Sequence, residues 1–296
     1  MKSKSDVTML GKAVRIGRLR NPASGRILTV AIDHAPSYGV LEGLENIQQV
    51  VDQVASADPD AVLMMKGTAE RCFQPYAGRV ALILKCSTLS PYHPERDVWV
   101  SRVEDALRLG ADAIAMALTV GSREQPQLLA NLAALVREAE RVGLPVIVHA
   151  YPNGELVPPD ERYSAARVGY ASRLAMELGV DIVKTFYTGS AETFARVVEM
   201  AAPALVVAAG GPRLETDVDV LHMAYDVVQA GAAGITFGRN IWQSEDVRGM
   251  VRALKHVIHD DGSVDEALRK TRSSHGPSIT LTRRRSGTST SWDAPE

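Results

Sequence analysis

Eight short apolar runs, at 26–33, 61–65, 80–85, 113–118, 145–150, 181–186, 204–209 and 234–237, recur along this chain between segments of helical period. Runs this short and this rich in β-branched residues read as strands buried on both faces, the pattern of a parallel sheet. The intervening segments carry one apolar stripe each. Leu128, Leu132, Leu135 and Ala139 form one, Val168, Ala171, Leu174, Ala175 and Leu178 a second, and Val220, Leu221, Ala224, Val227 and Val228 a third. A one-sided stripe covers a sheet and leaves its other face to water. Gly110, Gly143, Gly179 and Gly231 stand where a left-handed residue would close a helix. After three of them the text repeats, as Leu109-Gly-Ala-Asp-Ala-Ile, Leu178-Gly-Val-Asp-Ile-Val and Ala230-Gly-Ala-Ala-Gly-Ile. Self-similarity at the spacing of a βα unit, or a multiple of it, marks a repeated element.

Eight strands alternating with helices match an α/β fold of the (β/α)8 TIM-barrel type in count and length. A doubly wound open sheet would use similar pieces, but no GxGxxG string follows the first strand. The expected organisation is a single barrel domain over 27–272. An N-terminal segment, 1–26, carries seven basic residues from Lys2 to Arg26 and closes on the body; a flexible tail or oligomer arm occupies 273–296, where Arg283-Arg-Arg-Ser lacks apolar periodicity.

Composition narrows the function. The formal net charge is −2 with both signs mixed along the chain, so there is no footprint for nucleic acid or an anionic membrane. No apolar run reaches the length of a membrane span, and MKSKSDVTML lacks a signal-peptide core. Cys72 and Cys86 sit in apolar context without metal-ligand spacing. A cytoplasmic protein acting on a small molecule or on a protein partner is expected.

In a barrel of this kind the active site lies at the C-terminal ends of the strands. Asp33 and His34 then close strand 1, Lys85 ends strand 3, His149 and Tyr151 end strand 5, and Lys184 ends strand 6. Alternation puts Ala31 with Asp33, Ile83 with Lys85, His149 with Tyr151 and Ile182 with Lys184 on shared faces. Lys184 is the residue that most needs a reason, because a buried lysine is rare without a partner. Desolvation would make its amine partly neutral, and a neutral amine adds to carbonyls to form a Schiff base. A nearby Asp33 would oppose that shift and Lys85 would reinforce it. Lys85 itself reads equally as an anion-binding cation or a structural ion-pair partner, Asp33-His34 as catalytic groups or a hydrogen-bonded strand cap, and His149 as a catalyst or a satisfied interior histidine. Lys66 has Glu70 one helical turn away and is left outside the site. Gly210-Gly-Pro-Arg213 after strand 7 and Gly238-Arg239 after strand 8 occupy the loops where many barrels hold phosphate, with glycine letting amides approach an anion and arginine adding a charged fork. No metal or other cofactor is expected, since His34, His93 and His149 lack a zinc spacing.

Several strings resemble the archaeal-type class I fructose-bisphosphate aldolases, with their relatives the heptulosonate-type aldol transferases and the autoinducer phosphate thiolase. They are Val30-Ala-Ile-Asp-His-Ala with Gly39 and Glu42-Gly-Leu-Glu, Leu82-Ile-Leu-Lys-Cys, Tyr151-Pro-Asn-Gly, Asp181-Ile-Val-Lys-Thr-Phe-Tyr-Thr-Gly, Gly210-Gly-Pro-Arg, and Gly231-Ala-Ala-Gly-Ile-Thr-Phe-Gly-Arg-Asn-Ile-Trp, in family order. The resemblance implies that Lys184 is the Schiff-base lysine, Tyr151 the proton donor or acceptor at the C–C bond, and Asp33 a carboxylate that assists proton transfers. Gly210, Gly211, Gly238 and Arg239 would hold a substrate phosphate, with His34, Lys85, His149, Asn153 and Arg213 also lining the pocket. The implied substrate is a ketose phosphate of the dihydroxyacetone phosphate type, cleaved or condensed; the alternative passes the donor fragment to an amino-aldehyde such as aspartate semialdehyde. A phosphate-binding barrel without covalent chemistry is the remaining possibility, and a homo-oligomer is expected by analogy. Three positions depart from the family. Ala35 stands where glycine is frequent, Asn153 where arginine is frequent, and His149 where the fructose-bisphosphate branch commonly carries a bulky aromatic. Without that arginine a contact to a second anionic group is lost, which weakens fructose 1,6-bisphosphate as substrate but not the imine.

Overall fold

The computed structural model describes residues 4–273. Eight parallel strands close into a barrel: β1 (Ile27–Ala31), β2 (Ala61–Met65), β3 (Ala81–Lys85), β6 (Ala113–Thr119), β7 (Val146–Tyr151), β8 (Ile182–Phe186), β9 (Leu205–Ala209) and β10 (Gly234–Phe237), with β10 pairing back onto β1. The two remaining strands, β4 (Ser87–Ser90) and β5 (His93–Trp99), form an antiparallel hairpin after β3 that the apolar pattern did not announce. The helices are α1 (Lys4–Leu19), α2 (Ala35–Tyr38), α3 (Ile47–Ala55), α4 (Lys66–Cys72), α5 (Val103–Arg108), α6 (Gln125–Glu140), α7 (Ala165–Glu177), α8 (Ala191–Ala201), α9 (Asp217–Gln229), α10 (Arg239–Trp242), α11 (Val247–His259) and α12 (Val264–Ser273). The segment expected to be a tail lies, but for Ser273, outside the described residues.

Two cores follow from strand alternation. Outward residues such as Leu28, Val30, Leu82, Ile114, Val148 and Val183 pack under the helices, where the stripe residues of α6, α7 and α9 meet them. Inward residues Ile27, Ala31, Leu63, Ile83, Ala115, Ile147, Ile182 and Val207 fill the lumen. Each fully buried aliphatic side chain of this size contributes roughly 1.5–3 kcal/mol. Gly110, Gly143, Gly179 and Gly231 all adopt positive φ, as their places after helices required.

The N-terminal segment is mostly one helix, and it closes the lower end of the barrel. Leu19, fully buried, sits among the inward residues of six strands. Arg15 donates to the Gly143 carbonyl at 3.0 Å, Lys12 pairs with Asp181 at 3.0 Å and Arg18 with Asp112 at 3.3 Å. This also explains the repeated text. Asp60, Asp112 and Asp181 stand just before β2, β6 and β8, and each accepts a backbone N–H from the neighbouring strand: Leu28 at 2.6 Å, Leu82 at 3.4 Å and Val146 at 2.9 Å. Where the third repeat has Ala233, closure replaces the aspartate: a Cβ on Gly234 would lie 1.9 Å from the Ile27 carbonyl oxygen, so only glycine lets β10 meet β1.

Candidate active site

The upper end of the barrel gathers the polar strand ends. Lys184 lies in register between His149 of β7 and Val207 of β9, two residues beyond the inward Ile182. It is 6% exposed. Burial is the main cause that lowers its pKa from 10.5 to about 8, with Lys85 and Arg239 adding to the shift and Asp33 opposing it. At pH 7 roughly one molecule in ten then carries the neutral amine, against fewer than about one in a thousand for an ordinary lysine. Asp33 and Lys85, the carboxylate and second cation expected beside Lys184, are thus both close enough to act on its charge.

Lys85 is anchored in place. Its ammonium donates to the Ser87 carbonyl at 2.7 Å and the Ser87 hydroxyl at 2.9 Å. Burial pushes the neighbouring Asp97 carboxyl up, and Lys85 moderates that shift.

Tyr151 ends β7 and stacks on Phe186 at the end of β8, centroids 4.4 Å apart and 14° from parallel, while Tyr163 packs on Phe186 at 4.9 Å. Burial raises the Tyr151 phenol well above 10, with Tyr38 and Asp33 reinforcing, so it is a proton carrier rather than a phenolate at neutral pH. His149 is 4% exposed, and its Nε2 has no hydrogen-bond partner. Burial first, then Lys184 and Lys85, hold its pKa well below 6.5. It is not a satisfied interior histidine.

Strand β1 ends at Ala31, so Asp33 and His34 lie on the loop beyond it. The strand cap considered for them does not form: His34 Nδ1 stands 3.5 Å from Asp33 Oδ1 and makes no hydrogen bond. Instead His34 meets the Trp242 ring edge-on at 5.4 Å, and Trp242 Nε1 donates to the Ala31 carbonyl at 3.0 Å. Burial lowers His34 to about 4 despite Asp33.

The loops after β9 and β10 are tied together by Asn240, part of the Gly-Arg-Asn string but given no role of its own from the residues alone. Fully buried, it donates to the Gly210 carbonyl at 2.6 Å and accepts the Leu214 N–H at 2.8 Å. A Cβ on Gly210 would press on the Phe237 ring and Asn240 at about 3 Å, and one on Gly238 would strike His34 at 2.4 Å. Gly211 has φ +67 and open space around it. The Arg239 guanidinium lies 5.7 Å from the Tyr38 ring, and its Nε is unpartnered. Arg213 is partly committed: it ion-pairs with Asp217, leaving Nη1 unpartnered. Asn153 is exposed, past the buried Pro152. Lys66 pairs with Asp105 at 2.9 Å rather than with Glu70, which lies 3.8 Å from Arg108.

A partly neutral lysine, a protonated phenol, a carboxylate and an open glycine loop at the mouth of one barrel define a site for carbonyl chemistry at an amine. Comparison with known proteins agrees: residues 27–244 match the DeoC/LacD family aldolase, and the chain belongs to that family. It is 36% identical over 264 residues to 2-amino-3,7-dideoxy-D-threo-hept-6-ulosonate synthase of Halobacterium salinarum, covering 88% of this chain and 97% of that one. It is 32% identical over 254 residues to 2-amino-4,5-dihydroxy-6-oxo-7-(phosphonooxy)heptanoate synthase of Streptomyces griseus, covering 85% and 92%. Among solved structures, an archaeal fructose-1,6-bisphosphate aldolase with its catalytic lysine bound to the carbinolamine intermediate superposes with a TM-score of 0.77 at 30% identity, over 84% of this chain and 99% of that one.

Proposed function

We propose that the protein is a metal-independent aldolase that binds a ketose phosphate as an imine on Lys184 and makes or breaks the adjacent C–C bond. The observation that carries this is the buried Lys184 with its pKa lowered to about 8 beside Asp33. The neutral amine adds to the ketone carbon, and the carbinolamine loses water to give a protonated imine. That cation draws electrons from the neighbouring carbon, which loses a proton to form an enamine. The enamine carbon bonds to the aldehyde carbon, Tyr151 gives a proton to the aldehyde oxygen, and water releases the product and restores the amine. Asp33 assists the proton transfers of carbinolamine formation and collapse. Gly210, Gly211, Gly238 and Arg239 hold the phosphate, with Arg213 and Asn153 at the rim.

The direction we favour within this chemistry is aldol transfer to an amino-aldehyde, because the two synthases above are 36% and 32% identical to this chain, against 30% for the fructose-1,6-bisphosphate aldolase. Broken between C4 and C5, the product of the Streptomyces griseus enzyme gives dihydroxyacetone phosphate and aspartate semialdehyde, a ketose phosphate and an amino-aldehyde. A homo-oligomer in the cytoplasm belongs to the same proposal. The test is to supply dihydroxyacetone phosphate with aspartate semialdehyde or with glyceraldehyde 3-phosphate and weigh the products. A seven-carbon amino keto phosphate supports transfer, a six-carbon bisphosphate supports the fructose-bisphosphate direction, and no condensation with either, nor cleavage of the corresponding products, contradicts the proposal.

A further inference from the structure

His149 is a buried group at the mouth that the steps above leave without a task. It is 4% exposed, its Nε2 lacks any hydrogen-bond partner, and it sits in register beside Lys184. Leaving a buried ring nitrogen unpaired costs stability in the absence of a ligand, and the ring lies among Lys184, Lys85 and His34, inside the lumen.

The order of strands assigns the partner. Around the barrel the sequence is β7, β8, β9, β10. The phosphate loops follow β9 and β10, the imine forms on β8, and His149 stands on β7, the other side of the lysine. A three-carbon donor attached through its middle carbon and held by its phosphate at β9 and β10 therefore lays its third carbon toward β7. That third carbon becomes the nucleophile. Tyr151, two residues nearer the mouth on the same strand, meets the aldehyde that arrives from solvent, whereas His149, in the layer of Lys184 itself, meets the donor already bound.

We propose that His149 Nε2 hydrogen-bonds the hydroxyl on the donor carbon that becomes the nucleophile, making the site selective for α-hydroxyketone phosphates. The assignment rests on the imine at Lys184. As a neutral imidazole His149 can accept from that hydroxyl or donate to it, and it adds no third cation beside the imine.

The experiment compares dihydroxyacetone phosphate with hydroxyacetone phosphate, which lacks that hydroxyl, in wild-type, His149→Leu, His149→Phe and His149→Gln proteins. The readouts are the concentration dependence of borohydride-trapped adduct on Lys184 and kcat/KM with a fixed aldehyde. A site that hydrogen-bonds a hydroxyl rejects the analogue lacking it strongly. The wild type should prefer the hydroxylated donor by at least about tenfold, a deliberately low bound on that effect. The preference should collapse toward unity in whichever of the Leu and Phe variants folds, and largely survive in His149→Gln, whose amide keeps a polar group there. A merely structural role would weaken both donors alike and leave their ratio unchanged. That unchanged ratio in a folded Leu or Phe variant overturns the assignment, while trapping of both donors still upholds the imine. No adduct with either donor in the wild type overturns the imine and the assignment with it.

Discussion

Tyr151 and Phe186 lie face to face at the top of adjacent strands, 4.4 Å between centroids and 14° from parallel. The stack fixes the plane of the phenol proposed to act at the C–C bond, so the ring and the hydroxyl can be tested apart. Tyr151→Phe keeps the stack and removes the proton: kcat should fall by about 10²–10⁴, the usual contribution of a positioned acid or base, while borohydride still traps donor on Lys184. Phe186→Leu keeps the proton and loosens the ring, and should lower kcat by roughly tenfold at most, in line with about 0.5–1.5 kcal/mol for an aromatic pair. Steady-state kinetics of both variants check this. A Tyr151→Phe enzyme with wild-type kcat would contradict the role given to the phenol.

The pH dependence of imine formation should report Lys184. Because only the neutral amine adds to a ketone, the rate should rise about tenfold per pH unit below about 8 and level off above it. His34, held at about 4, and His149, held well below 6.5, stay neutral across that range and add no inflection. Stopped-flow or quench measurements from pH 6 to 9 decide the matter. An inflection near 6.5 would point to a histidine instead.

Lys184 should also lower stability in a pH-dependent way. Its folded pKa, about 8, lies below the unfolded value of 10.5, so the unfolded chain holds the proton more tightly. Below about pH 8 both states are protonated and the full penalty, up to about 3 kcal/mol, is present; it is relieved as pH rises toward 10.5. Lys184→Met should therefore be more stable than wild type at pH 7 by about 1–3 kcal/mol and gain progressively less above pH 8. Thermal unfolding at pH 7 and pH 9.5 gives the comparison. A variant less stable than wild type at pH 7 would mean that the ammonium is well satisfied in the fold.

Asn240 should matter for donor affinity. Its side chain pins Gly210 and Leu214, so Asn240→Ala frees the loop after β9 and leaves a buried carbonyl and amide unpaired. The expected result is a loss of about 1–3 kcal/mol in stability and a rise in KM for phosphorylated donors that exceeds the fall in kcat. Equal loss with phosphorylated and unphosphorylated ketones would remove the loop from phosphate binding.

Much of this was legible in the residues themselves. The eight strands announced themselves because each is buried on both faces, and Lys184 stood out because a cation ended one of them. Alternation alone put Lys184 on the face of Ile182, which the barrel turns inward. What stayed hidden depends on contacts distant in sequence. Helix α1 is masked by its basic residues, whose partners Asp112 and Asp181 lie far along the chain. The β4–β5 hairpin carries polar residues such as Ser87 and Asp97 inward and so shows no apolar alternation. Lys66 chose Asp105, on α5, over the nearer Glu70, because side chains from neighbouring elements compete with those on the same helix.

The central claim is that Lys184 is the nucleophile. Incubating the protein with dihydroxyacetone phosphate, reducing with borohydride and weighing the peptide that carries Lys184 should show the mass of the reduced donor adduct on that residue, and no adduct in Lys184→Arg. An unmodified Lys184 peptide, or an adduct that persists on another lysine in the variant, would contradict the account.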